Sequence, residues 1–79
     1  MNGIINLREL KLKLRETVFV QLIDNNHHLE KVVSFTSKDR DKQLEYLDYL
    51  LSQKEYGKIR VHSTYEDENG DLKGRILQG

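Results

Sequence analysis

Cysteine is absent from the 79 residues, and with it any disulfide framework or thiolate-built zinc site. The chain must hold together on its core alone, and a domain this short buries only about 60% of the surface its unfolded form exposes. A reducing cytoplasm is the expected setting. No apolar run approaches the ~20 residues needed to cross a bilayer, and Met1 to Leu14 lacks the apolar region of a secretory signal. A soluble, non-exported chain with no membrane partner is expected. Charge of one sign is missing too: 13 Lys and Arg balance 13 Asp and Glu. Zero net charge supplies no long-range attraction for a polyanion, which argues against a dedicated nucleic-acid binder and against a strongly acidic DNA mimic. No Pro-, Gly- or Ser-rich linker interrupts the chain, so residues 1–79 are expected to form one domain.

The usual signatures of catalysis are also missing. Ser34, Ser37, Ser52 and Ser63 lack a G-x-S-x-G context, and there is neither a Gly-rich phosphate loop nor an H-E-x-x-H pair. Two hairpins and one or two helices leave little room for a pocket of ~300 Å³ or more, so an enzyme is not expected, nor a cofactor. Adjacent His27 and His28 point apart in extended chain, and His62 belongs to a different segment, so the three histidines lack metal-ligand spacing. In "DENGD" the glycine is fourth rather than sixth, and no bidentate glutamate follows at the twelfth position, so the EF-hand requirement fails.

What is present is periodic. Leu44, Leu47, Leu50 and Leu51 form one stripe at helical spacing, flanked by Tyr46 and Tyr49, and predict a helix from about Lys38 to Glu55. Thr36 with Asp39 reads as its capping box, and Gly57 as the left-handed residue that ends it. Strands are expected at Thr17–Ile23 and Leu29–Phe35 around the turn "DNNHH", and at Ile59–Glu66 and Leu72–Leu77 around "DENGD". Asn69-Gly70 suggests a two-residue type I′ turn with both residues at positive φ. The first segment, "NLRELKLKLRE", is ambiguous. A helix capped by Asn6 gathers Leu7, Leu10 and Leu14 but leaves Leu12 aside, while a strand alternates Leu10, Leu12 and Leu14. The helix is favoured because no turn separates Leu14 from Val18. The fold class expected is α+β: a two-layer domain with an antiparallel sheet of about four strands in two hairpins, one main helix packed on one face, and a short N-terminal helix.

On the last hairpin, Lys58, Arg60 and His62 alternate with Ile59 and Val61, and Lys73 and Arg75 alternate with Ile76. If Ile76 shares the core face with Val61, the five basic residues share the other face. Charged outer faces are normal, so solvation is the plain account of such a surface, and polyanion binding is the alternative. The segment "RVHSTYEDENG" resembles, over these eleven residues only, a strand of phage uracil-DNA glycosylase inhibitors, small antiparallel proteins that imitate DNA. Those inhibitors are strongly acidic, whereas this chain is neutral and places Arg60 inside the matching strand, so no residue role is carried over.

A pocket-poor, cysteine-free domain has its surface to work with. The expected function is a small non-enzymatic protein-interaction module, such as an accessory or inhibitory protein of the kind phages and mobile elements encode, occluding another protein. A nucleic-acid-binding module using the basic sheet face is the alternative, and a structural homodimer is the third reading. The candidate binding residues are Tyr46 and Tyr49 on the helix flanks, and Lys58, Arg60, His62, Lys73 and Arg75 on the sheet. Of these the tyrosines are expected to matter more, because Tyr is a favoured interface anchor.

Overall fold

The computed structural model describes residues 4–79; Met1–Gly3, part of the stretch read above for a secretory signal, lie outside the described residues. Four strands and a helix follow in the order β1 (Thr17–Ile23), β2 (Leu29–Phe35), α1 (Arg40–Gln53), β3 (Lys58–Glu66) and β4 (Leu72–Gln78). All pairings are antiparallel and the sheet order is β2-β1-β3-β4, so each hairpin contributes one central and one edge strand. This is the two-layer α+β arrangement that the periodicity implies. Val18, Val20 and Leu22 of β1 are almost wholly buried, because they lie on a central strand and on the face that the rest of the core covers. Facing them from α1 are Leu44, Leu47 and Leu50, and alongside them Val33 and Phe35 of β2 and Ile59 and Val61 of β3. These residues define the inner face of the sheet.

The helix begins and ends two residues inside the expected bounds. Residues 37–39 form a turn, with the Asp39 carboxylate accepting from Thr36 N–H at 2.7 Å, which is one half of a capping box. Gly57 is not left-handed. Its role is close approach, since a Cβ there would lie 2.8 Å from the Asp24 carbonyl oxygen.

The expected N-terminal helix is not formed: residues 4–16 contain only turns and irregular chain. They nevertheless complete the core. Leu7 is buried, and Ile4, Ile5, Leu10 and Leu12 pack against the cluster. Ile5 N–H donates to Gln78 Oε1 at 2.8 Å, and Arg75 donates to the Lys11 carbonyl at 3.0 Å, so the segment covers the β3–β4 half of the inner face, which α1 does not reach. Packing both Leu10 and Leu12 against the core is what a helix could not do, because they lie on different helical faces.

Both hairpins turn on the same device. The carboxylate of Asp24 accepts from Asn26 N–H and His28 N–H, and the carboxylate of Asp67 accepts from Asn69 N–H and Asp71 N–H, each at 2.9 Å. The third loop residue then takes positive φ, His27 at 66° and Gly70 at 82°, while Asn69 does not. The expected type I′ turn is therefore replaced by a three-residue loop closed by mutual bonding of Asp67 and Asp71. One extra loop residue shifts the β4 register by one, which turns every side chain on the strand over. Glu66 faces Leu72, Ser63 faces Arg75, and His62 faces Ile76.

Candidate functional site

The register scatters the seven candidate residues over three places. Lys73 and Arg75 do not join Lys58, Arg60 and His62. They point to the inner side of the sheet, opposite Tyr65 and Ser63, while Ile76 moves to the outer face. Lys73 lies 3.9 Å from the Asp67 carboxylate. Arg75 is committed to the fold. Its guanidinium grips the Glu16 carboxylate with two hydrogen bonds at 2.7 and 2.8 Å, and Glu16 also accepts from Lys13 N–H at 2.7 Å and from the Ser63 hydroxyl. The Glu16 side chain has no exposed surface. Burial pushes its carboxyl upward, but the hydrogen bonds from Arg75, Ser63 and Lys13, with the charge of Arg75, outweigh that and hold it below its usual value. The same pairing raises the Arg75 pKa above its ordinary value. This network ties the N-terminal segment to β3 and β4, and Arg75 is its central cation.

The outer face is the open one. Across its centre runs the row Ile76, His62, Phe19 and Ser34, one residue from each strand. His62 stacks on Phe19 with ring centroids 5.2 Å apart and planes 16° apart. Toward one end lie Gln21 with Arg60 and Val32, then Ile23 with Lys58 and Leu29; toward the other, Thr17 with Thr64 and Gly74, then Glu66 with Leu72. Ile76 is 79% exposed, Leu72 73%, Leu29 54% and Val32 48%, so a face expected to be basic carries exposed apolar side chains on both of its edge strands. A depression of about 310 Å³ lies among Gln21, Arg60, His62 and Ile76, so the expectation that so few elements leave little room for ~300 Å³ does not hold. Among the described residues, neither Lys58 nor Arg60 lies within 4.0 Å of a carboxylate. Glu66, at the opposite end, has among the described residues one ion-pair partner, Arg15 at 3.4 Å, both side chains being half or more exposed.

Tyr46 and Tyr49 are exposed on α1, on the other layer of the molecule, with Lys31 reaching the Tyr46 hydroxyl at 3.3 Å. They share no surface with the outer sheet face. His27 and His28 sit in the first turn, and among the described residues no three His, Asp or Glu side chains cluster as metal ligands would. Nor is any helix among them long and apolar enough to cross a membrane. Phe19, Val32, Leu72 and Ile76 were not among the candidates. The signal that could have found them is the Asp at the first position of both turns, which sets loop length and hence which residues of β4 face outward. The chain matches no family model, no curated protein and no solved structure.

Proposed function

We propose that this chain is a small, non-enzymatic protein-interaction module whose binding surface is the outer face of the sheet. The observation that carries the reading is that Phe19 and Ile76 in the central row, with Val32 and Leu72 on the two edge strands, lie on a face that neither α1 nor residues 4–16 cover. Single exposed apolar residues are normal on a protein surface, but several on one open face, with an aromatic row between charged ends, have the make-up of an interface. The depression beside His62 seats a side chain from the partner. Such a module acts by covering a surface of another protein, as small accessory proteins do.

Nucleic acid is the second reading, and the unpaired Lys58 and Arg60 beside the His62–Phe19 stack favour it, since cations flanking aromatic rings suit single strands. Two cations are few for a phosphate chain, and Glu66, Asp67, Glu68 and Asp71 crowd the other end of the same hairpin, so the protein reading is preferred. Ile76→Asp and Tyr46→Ala/Tyr49→Ala, compared with the wild type, test the choice. Binding that survives nuclease and moderate salt, and is lost in Ile76→Asp alone, supports the sheet face. Binding lost only in the tyrosine variant moves the surface to the helix, and loss on nuclease treatment favours the second reading.

A further inference from the structure

We infer that the partner accepted by the outer face is a second copy of this chain, packed face to face with its strands running antiparallel to those of the first. The inference rests on the reading of that face as a protein-binding surface. What points to a second copy is the polarity of the face. Along β3 the outward residues are Lys58, Arg60, His62, Thr64 and Glu66, so cations stand at one end, a carboxylate at the other, and the stacked His62–Phe19 pair with Ile76 in the middle.

A two-fold axis parallel to the sheets and midway between them, running across the strands over the His62 row, sets the two central rows on each other. It brings Arg60 over the partner copy's Thr64 row and Lys58 over its Glu66 row, and by symmetry the reverse. An axis parallel to the strands would instead set Lys58 and Arg60 against their own copies, so the charges choose the antiparallel arrangement. Glu66 is available because its contact with Arg15 is an exposed 3.4 Å pair, of the kind that contributes little and exchanges readily.

Four strands at ~4.8 Å spacing, each seven or so residues at ~3.4 Å, give about 450 Å² in plan per copy. Both copies together reach about 900 Å² before the relief of the side chains is counted, which is the low end for specific interfaces and implies a concentration-dependent dimer. Two sheets stacked in this way also suit the ~10 Å face-to-face spacing of a β-sandwich.

Sedimentation equilibrium on the wild type, from about 10 µM to about 1 mM as so small an interface requires, should show a mass rising from 9.3 kDa toward twice that value. Lys58→Glu and Glu66→Lys should each weaken association about tenfold or more while leaving the far-ultraviolet circular dichroism unchanged. Mixed in equal amounts they should recover it, since each then meets its opposite charge; simple damage to the fold cannot produce that recovery. Ile76→Asp should be monomeric throughout. A wild type that stays at 9.3 kDa, or a mixture that stays as weak as its components, would overturn the proposal. If a monomeric wild type still binds another protein and Ile76→Asp abolishes that, the face is a binding surface for a different partner. If Ile76→Asp changes neither association nor capture, the reading of the face falls as well.

Discussion

Glu16→Gln is the substitution on which the account of the N-terminal segment depends most. It keeps the side-chain shape but removes the charge that meets Arg75, and it turns one acceptor oxygen into a donor facing N–H groups at 2.7–2.8 Å. Breaking a buried ion pair from one side costs about 3–5 kcal/mol. Arg75 keeps 31% of its side-chain surface exposed and can turn its freed guanidinium to water, so about 2–3 kcal/mol is the better figure. Against a total of ~5–10 kcal/mol for a domain of this size that is a large loss. Urea unfolding of wild type, Glu16→Gln, Arg75→Met and the double variant measures it, and the cycle should show a coupling of at least about 1 kcal/mol. The pH dependence supplies a second check. Because the folded carboxyl is held below its usual value, its stabilisation is complete above the ordinary Glu range and is lost as pH falls through the lowered folded value. The gap between the wild-type and Glu16→Gln midpoints should thus be wide at neutral pH and narrow progressively below roughly pH 4. An additive cycle, or a gap of equal width at both ends of that range, would refute the network as described.

Leu47→Ala should cost about 2–5 kcal/mol in urea unfolding, since Leu47 is 2% exposed at the seam between α1 and the sheet; an unchanged midpoint would mean the helix faces another way. Gly70→Ala should cost about 1–2 kcal/mol, and the loss isolates the positive φ, because nothing lies within 4 Å of the added Cβ. At Gly57→Ala the added Cβ would instead meet the Asp24 carbonyl at 2.8 Å, so about 1–3 kcal/mol should be lost by displacement of the first turn, visible as shifted amide resonances at residues 24–28. Nuclear Overhauser contacts should join His62 to Ile76 across the outer face. Contacts joining Tyr65 to Ile76 instead would restore the two-residue turn and its opposite register.

Local information carried much of the fold. The leucine stripe at 44, 47 and 50 specifies one helix whatever surrounds it, and alternation with turn residues specifies four strands, because these periodicities are properties of the backbone itself. Two things were not local. The first is the state of residues 4–16. Their leucines fit a helix or a strand about equally, and the outcome was decided by burial of Leu7, by packing of Leu10 and Leu12 against the core, and by the grip of Arg75 on Glu16, 59 residues away. The second is the face to which each candidate belongs. Asn69-Gly70 by itself favours a two-residue loop, which would have placed Ile76 inside with Val61 and the five basic residues together outside. The Asp67 carboxylate, holding two backbone N–H groups, makes the loop one residue longer. Strand periodicity is two, so that single residue exchanges the faces of all of β4. It carries Arg75 inward to its buried carboxylate and leaves Ile76 in the open.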